Sequence, residues 1–220
     1  MLGENYYLFL DTSSSQVEVG VIRNKQWLSR KTSSEPALES LFSMVDECLA
    51  IADTSLKELE GVVFCSGPGS MLGARVTSVA IKTWSLLREK ALDVYNYENL
   101  YWLALSFSKA TSEKTFSICS FWKRDHWNVL NVENGEFDKI KVLTGENLSN
   151  LSGSLHYYKQ RDNSPDPSVE HSFILNELET IPQFSEALGL LTKSEEPIIY
   201  TQQSTVYKKW EPSFHQVTQG

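Results

Sequence analysis

The chain has 220 residues, of which 41% are hydrophobic and 22% charged, so it can bury the core of one large domain or two smaller lobes. This composition excludes wholesale disorder, and the net charge of −8 argues against a free-standing nucleic-acid binder, which usually presents a basic face. The three cysteines, Cys48, Cys65 and Cys119, lie in apolar runs without a Cys-x-x-Cys pair, so we expect buried thiols and no disulfide framework. No apolar run approaches the roughly 18 residues of a membrane span, and the first residues lack the basic start of a signal peptide. The expected location is the cytoplasm, with no membrane partner.

The first half of the chain alternates between strand and helix patterns. Val17, Val19 and Val21 alternate with polar or small residues, which predicts a half-buried strand after the apolar run Tyr6–Leu10. Ser33 or Ser34 is the expected N-cap of the first helix. The predicted order over residues 1–110 is β-β-β-α-β-α-β-α, with strands over 6–10, 17–21, 26–31, 62–65 and 92–95 and helices over 35–52, 70–88 and 100–107.

The composition turns polar near residues 109–112, which predicts an N-terminal lobe over 1–110 and a C-terminal lobe with a tail over 111–220. The second part again opens with three strand-like runs, Phe116–Phe121, His126–Val132 and Phe137–Val142, with a hairpin turn at 134–135. A β-meander therefore opens both parts, although no sequence repeat accompanies it. Later segments predict a loop over 161–168, a helix over 184–191 and an extended segment over 197–200, while residues 170–178 fit a short helix less clearly.

A glycine-rich run lies between a predicted strand and a predicted helix, and its sequence over residues 67–75 is Gly-Pro-Gly-Ser-Met-Leu-Gly-Ala-Arg. Free backbone N–H groups converge where a strand, a tight turn and a helix N-terminus follow one another, so such a loop can hold an anion. The same arrangement can instead serve only to pack a helix against a sheet. The spacing excludes a Walker A P-loop, because Gly-Lys-Ser/Thr does not follow at the required distance. The candidate loop residues are Gly67, Pro68, Gly69, Ser70 (the expected helix cap), Gly73 and Arg75.

The polar turn Asp11, Thr12 and Ser13, at the end of the first strand, is a second candidate. In sugar-kinase and actin-like folds a carboxylate at this place faces the metal and phosphates of a nucleotide. Those folds usually put a glycine beside it, whereas the next glycine here is Gly20. The alternative is a structural turn in which the carboxylate accepts backbone N–H bonds.

The sequence offers no metal signature. Its four histidines, His126, His156, His171 and His215, are spaced too far apart for any two to share one turn of a helix. Spacing alone leaves a Ser/His/Asp triad open, but no Gly-x-Ser-x-Gly elbow supports one. We therefore name no metal ligand, no catalytic residue and no cofactor.

The helices over 35–52 and 70–88 are expected to lie on one face of the first sheet. Apolar side chains left over after packing, such as Met44, Met71, Leu72 and Trp84, then form either an interaction surface or part of the core.

Several segments together resemble the TsaB (YeaZ) family, the non-catalytic partner of TsaD in tRNA threonylcarbamoyladenosine biosynthesis. The glycine-rich run is similar to the family's Gly-Pro-Gly-Ser-Phe-Thr-Gly-Leu/Val-Arg, and Tyr7–Ser13 resembles its opening strand and Asp-Thr-Ser/Ala turn. Residues 17–21, 41–45 and 196–200 resemble its second strand, its first helix and its terminal Pro-x-Tyr segment. The likeness covers residues 6–110 well and the remainder loosely. It implies the actin-like ATPase fold (ASKHA, ribonuclease H-like), an α/β fold of two lobes that each carry a mixed sheet with helices.

The resemblance also implies partners. A TsaB-like chain has no activity of its own, binds a TsaD-like catalytic subunit through the two N-lobe helices, and works in a wider complex with a TsaE-like ATPase. It contacts tRNA only indirectly, while the complex modifies the adenosine next to the anticodon in tRNAs that read ANN codons. In isolation the same helices can pair two copies as a homodimer. The residues named for the partner interface are Leu38, Leu41, Phe42, Val45, Met71, Leu72 and Trp84.

The chain departs from the family pattern at several positions, which makes it a divergent member. Ala37, Ser66 and Met71 replace residues of the family's helix start and glycine loop, and Ser120 begins the run that replaces its Asp-Ala-Arg turn. One alternative is a small-molecule kinase or ATPase of the actin-like superfamily, with Asp11 near a metal and the glycine loop near phosphate. Another is the glycoprotease of older family labels (M22), which requires a metal-ligand set that the sequence lacks.

Overall fold

The computed structural model describes residues 4–174 and 188–201, which form two sheets with helices packed on and between them. In chain order the elements are β1 (Tyr6–Asp11), β2 (Val17–Arg23), β3 (Gln26–Ser33), α1 (Ala37–Ile51), β4 (Leu59–Gly67), α2 (Met71–Leu86), β5 (Asp93–Glu98), α3 (Asn99–Ala110), β6 (Phe116–Lys123), β7 (His126–Glu133), β8 (Glu136–Phe137), β9 (Lys141–Thr144), α4 (Gly145–Leu148), β10 (Ser154–Tyr158), β11 (Ser172–Ile174), a 3₁₀ turn (Leu188–Leu190) and β12 (Thr192–Ser194).

The first sheet has the strand order β12-β5-β4-β1-β2-β3. Strands β1, β2 and β3 form an antiparallel meander, whereas β4 runs parallel to both β1 and β5. The meander turns at Asn24 and Lys25, whose φ angles are 52° and 63°, as in a type I′ hairpin turn. The predicted sequence of elements over residues 1–110 is confirmed.

Helices α1 and α2 cover one face of this sheet. Their buried side chains, including Leu41, Val45 and Ile81, pack on Leu10 and Phe64 of the central strands. Strand β2 is buried on both faces, not half-buried as its alternation predicts. Its polar positions are covered because the side chain of Trp27 fills the space beside Gly20 and because Glu18 pairs with Arg30.

Helix α3 lies between the two sheets. Trp102 faces the first sheet, where its ring packs near Phe9 and Tyr97, and Leu103 belongs to the core of the second sheet. The helix thus joins two hydrophobic clusters through opposite sides. It ends at Ala110, next to the predicted lobe boundary, which itself remains a prediction.

The second sheet repeats the pairing pattern of the first. Strand β6 is antiparallel to β7 and parallel to β10, as β1 is antiparallel to β2 and parallel to β4. The order is β11-β10-β6-β7-β8, with β9 also paired to β7. The predicted α/β architecture of two mixed sheets with helices is confirmed.

Some local predictions in the second part are wrong. The single strand expected over 137–142 is two short strands, β8 and β9, which both pair with β7. Of residues 170–178, for which a short helix was one option, residues 172–174 form strand β11, and residues 175–178 lie outside the described residues. Of the helix expected over 184–191, only Leu188–Leu190 falls among the described elements, as a 3₁₀ turn, and residues 184–187 lie outside the described residues.

The two helix starts differ in their caps. Ser70 caps α2 as predicted, since its side chain accepts from the Gly73 N–H at 3.2 Å. Helix α1 instead has Pro36 at its N-cap without a side-chain bond, and Ser33 accepts from the Glu35 N–H outside the helix. The prediction of a serine cap for α1 is therefore wrong.

Candidate functional site

The glycine loop and the strand-end turn are in direct contact through hydrogen bonds and close backbone packing. The Ser70 N–H donates to the Ser13 carbonyl at 2.8 Å, and the Thr12 and Thr77 hydroxyls are hydrogen-bonded at 2.9 Å. A Cβ on Gly69 would lie 2.0 Å from the Ser13 carbonyl oxygen, so only glycine permits this approach. The loop that the sequence singles out is thus a contact between α2 and the end of β1.

This packing uses two of the N–H groups that an anion would need. The Ser70 N–H is bonded to a backbone carbonyl and the Gly73 N–H to a capping hydroxyl. An anion at a helix N-terminus is bound by N–H groups left without such partners. Of the two interpretations of the glycine loop, the contacts favour helix packing over anion binding.

Asp11 is buried, and both of its carboxylate oxygens have partners within the protein. Oδ1 accepts from the Ser13 N–H at 2.8 Å, and Oδ2 accepts from the Tyr97 hydroxyl at 2.7 Å. Burial raises the pKa of the Tyr97 phenol well above its usual value, and the charge of Asp11 raises it further, so the phenol stays a donor. These are the contacts of the structural turn, not of a carboxylate directed at a bound metal.

Two amide side chains extend this network, Asn99 at the start of α3 and Gln160 after β10. Asn99 Nδ2 donates to the Ser13 hydroxyl at 2.9 Å and to the Pro68 carbonyl at 2.8 Å. Gln160 Nε2 also donates to the Pro68 carbonyl, and the Gln160 carbonyl accepts from the Ser15 N–H at 2.7 Å. Sequence reasoning missed Asn99, Gln160 and Tyr97 because each lies far along the chain from the turn it contacts.

Helices α1 and α2 expose an apolar surface. Leu72, Val79 and Leu86 are spaced by seven residues and are 67%, 63% and 85% exposed. Residues seven apart lie on one side of a helix, so they form a stripe along α2. Phe42 of α1, 48% exposed, meets Trp84 of α2 edge-on at 6.2 Å between ring centroids. We call the exposed side chains Leu38, Phe42, Met71, Leu72, Arg75, Val79 and Leu86 the helix-pair surface.

The structure divides the residues predicted for the interface. Leu38, Phe42, Met71 and Leu72 are exposed, whereas Trp84 is half-buried against the core. Leu41, Met44 and Val45 are buried, because these side chains of α1 point toward the sheet. They therefore cannot contribute to an exposed contact surface.

Arg75 belongs to the helix-pair surface and not to the turn. It is exposed on α2, three residues after Leu72 and four residues before Val79, so it lies on the same side of the helix. Its guanidinium makes no ion pair with the described residues. Sequence reasoning did not name Val79 and Leu86 as surface residues. Their seven-residue spacing from Leu72 predicts that they share one side of α2, but periodicity does not tell whether that side is exposed or buried.

The residues that the structure describes hold no group of three or more His, Cys, Asp or Glu side chains placed to bind one metal ion. None of the helices in this part of the chain is both long and apolar enough to cross a membrane.

Comparison with known proteins places the chain in a family. Residues 31–164, more than half of the chain, match the family described as TsaD, tRNA N6-adenosine threonylcarbamoyltransferase. The chain belongs to this family. The family resemblance drawn from the sequence is thus confirmed. A search of curated proteins finds no match.

The solved structures agree on the fold. YeaZ from Pseudomonas aeruginosa superposes with a TM-score of 0.64 at 16% identity, covering 90% of this chain and 100% of that one. A structure described as an uncharacterized protein with similarity to peptidase YEAZ from Pseudomonas aeruginosa gives a TM-score of 0.62 at 18% identity, covering 90% of this chain and 99% of that one. The chain therefore has the fold of YeaZ over 90% of its own length.

Proposed function

We propose that this TsaD-family member is a non-catalytic scaffold subunit that binds a TsaD-like catalytic subunit through the helix-pair surface. The observation that carries the proposal is the exposed apolar stripe Leu72, Val79 and Leu86 on α2, continued by Leu38 and Phe42 on α1. Contiguous patches of exposed apolar side chains mark interaction sites in soluble proteins. The family membership supplies the identity of the partner, and the modified adenosine next to the anticodon is then the partner's substrate.

The network around Asp11 supports a non-catalytic role. A kinase or ATPase of this fold needs carboxylate oxygens and loop N–H groups available to metal and phosphate. Here Asp11 is held by Ser13 and Tyr97, and the N–H groups of Ser70 and Gly73 are held within the protein. We expect no heat release when Mg-ATP is titrated into the isolated chain.

The wider assembly follows from the same proposal. A TsaE-like ATPase joins the complex, tRNA is contacted through the partner, the proteins meet in the cytoplasm, and two copies pair through the helix-pair surface when the partner is absent.

The test is co-expression with the TsaD of the same organism, followed by size-exclusion chromatography with light scattering. We expect a one-to-one complex with the wild-type chain. Phe42→Asp places a carboxylate on an apolar part of the helix-pair surface and should abolish the complex, because a charge in an apolar interface loses its hydration without a partner. Arg75→Glu reverses the charge that this surface carries and should weaken the complex, because a partner face that suits a cation repels an anion. Arg75→Glu touches no core residue, so its unfolding transition should stay within about 0.5 kcal/mol of wild type. Phe42→Asp also removes the edge-on contact with Trp84 and should cost about 0.5–1.5 kcal/mol, which leaves the protein folded.

Phe173→Asp is the matched control. Phe173 is also an exposed phenylalanine, but it lies on β11 of the second sheet, away from α1 and α2. This variant should bind the partner as the wild type does. A wild-type chain that stays alone or self-paired beside its TsaD refutes the proposal, as does a complex that survives both substitutions on the helix-pair surface.

A further inference from the structure

Arg75 is a charged side chain set among the apolar members of the helix-pair surface. Its neighbours one turn away along α2 are Met71, Leu72 and Val79, which are 39%, 67% and 63% exposed. The guanidinium forms no hydrogen bond or ion pair with the described residues. Any molecule that covers these apolar side chains therefore covers the charge of Arg75 as well.

Lys82, on the same side of α2, already has its counter-charge. Seven residues are close to two helical turns, so Arg75 and Lys82 project from α2 in nearly the same direction. Lys82 Nζ lies 2.6 Å from Glu196 Oε2, in the segment that follows β12. Arg75 has no equivalent partner among the described residues. The two cations therefore differ in whether the chain itself pairs them.

The exposed acids of α1 lie across α2 from Arg75. Helix α1 packs on the side of α2 that carries Trp84, which meets Phe42 edge-on at 6.2 Å between ring centroids. Trp84 is nine residues after Arg75, about two and a half turns, so these two side chains leave α2 in opposite directions. Glu39 and Asp46 of α1 are therefore on the far side of the helix, and neither pairs with Arg75.

A cation that a partner covers needs an opposite charge. Removing a guanidinium from water is costly unless carboxylate oxygens accept its N–H groups, often as a bidentate pair. No described residue supplies such a group to Arg75, so the partner must supply it. The phosphate backbone of a nucleic acid fits less well, because it offers no apolar surface to Leu72 and Val79.

We propose that Arg75 binds a carboxylate on the docking face of the partner subunit and thereby selects that partner over a second copy of this chain. The proposal rests on the proposed function, which places a TsaD-like subunit on this surface. Arginine presents its N–H donors in a rigid fork that matches a carboxylate, so the pair fixes orientation as well as charge. The partner's docking face should therefore combine apolar side chains with an acidic one opposite Arg75.

A second copy presents the same surface, with another arginine and without an acidic member. In a twofold pair each Arg75 is then covered by apolar side chains or meets the arginine of the other copy. Both arrangements are costly, so the arginine is the repulsive element that specific interfaces use against wrong partners. Removing its charge should therefore shift the two associations in opposite directions.

The first measurement is the affinity for the TsaD of the same organism, by calorimetry with the full chain. Arg75→Met removes the charge, keeps a long unbranched side chain, and should weaken the complex at least about 10-fold. Lys82→Met is the matched control, because it removes a cation that is already paired within the chain, and should change the affinity by less than about 3-fold. Both variants change exposed positions and should unfold as the wild type does.

The second measurement is self-pairing of the isolated chain by sedimentation equilibrium, which needs no TsaD. Arg75→Met should tighten the pair at least about 5-fold. Arg75→Lys keeps the charge and Lys82→Met keeps the arginine, so neither should tighten it. Self-pairing that Arg75→Met leaves unchanged overturns the proposal. Self-pairing that Arg75→Met weakens also overturns it, because a second copy would then supply the acid, from Glu39 or Asp46.

Charge reversal identifies the carboxylate. The Arg75→Glu chain is tested against TsaD variants in which the exposed Asp and Glu residues of TsaD are changed singly to Arg, and one of these changes should restore binding. Failure of every reversal to restore binding overturns the proposal. A wild-type chain that does not bind TsaD refutes the proposed function and the partner carboxylate together, whereas a wild-type complex that Arg75→Met leaves equally tight refutes only the role of Arg75.

Discussion

Replacing Gly73 by alanine tests whether the glycine loop is a packing device. Two effects oppose each other at this position, which is the third residue of α2. Alanine favours a helix over glycine by about 1 kcal/mol, so helix propensity alone predicts a more stable protein. However, a Cβ at Gly73 would lie 2.2 Å from the Thr12 carbonyl oxygen, far inside van der Waals contact.

The turn cannot move aside freely, because its neighbouring groups are tied to α2. Thr12 is bonded to Thr77, and the Ser13 carbonyl accepts from Ser70. Overpacking costs about 1–3 kcal/mol, and loosening one of these bonds costs about 1 kcal/mol more. After subtracting the propensity gain, we expect Gly73→Ala to destabilise the protein by about 1–3 kcal/mol.

The assay is urea unfolding followed by tryptophan fluorescence, with the slope of the transition checked for two-state behaviour. Gly189→Ala is the control, because a Cβ there meets no atom of the residues that the structure describes within 4 Å, and its stability should stay within about 0.5 kcal/mol of wild type. A Gly73→Ala protein as stable as wild type, or more stable, would show that the close approach of α2 to the turn has been misread.

Three further predictions concern stability. Tyr97→Phe removes the hydroxyl that donates to Asp11 and leaves a buried carboxylate oxygen unpaired, so urea unfolding should show a loss of about 1–3 kcal/mol; no loss would contradict the described network. Leu41→Ala should cost about 2–5 kcal/mol because the side chain is fully buried, whereas Leu38→Ala on the surface should change stability by less than about 0.5 kcal/mol; equal effects would contradict this division. Burial lowers the pKa of His156 below its ordinary 6.5, so below that pH the unfolded chain binds more protons than the folded chain. The free energy of unfolding should therefore fall as the pH drops below about 6.5, by at most about 1.4 kcal/mol per pH unit. Unfolding series at several pH values should show this contribution in the wild type and not in His156→Gln.

The sequence predicted the first lobe well because its elements carry strong local signals. The turn at Asn24–Lys25, the apolar run of β4 and the serine cap of α2 are each determined by neighbouring residues. The exception is the burial of Glu18, which depends on Arg30 and on the ring of Trp27 across the sheet. Period-2 alternation describes one strand and contains no information on what covers its polar side.

The second lobe was harder because its strands are short and their partners distant. Strand β10 is held between β6 and β11, and β12 pairs with β5 almost a hundred residues away. Three-residue strands leave too short a pattern for periodicity to detect. Their positions follow from tertiary pairing.

For the candidate site, the sequence identified the turn and the loop but not the contacts that decide their role. The choice between anion binding and packing depended on the partners of Asp11 and Ser70, which are supplied by Tyr97 and by the turn itself. The partner interface, which the family resemblance placed on the two helices, stays a prediction. The residues named for it mixed buried Leu41 with exposed Leu38, because helical spacing alone does not tell which side of a helix is covered.

The return of β12 to the first sheet makes a late segment of the chain part of the first lobe. Strand β12 pairs with β5, and beyond it the Ile198 N–H donates to Asn96 and the Tyr200 N–H to Ser66. Residues before 111 therefore do not complete the first sheet by themselves. A fragment that stops short of β12 would expose the backbone edge of β5, so the two halves of the sequence do not correspond to two separately complete sheets.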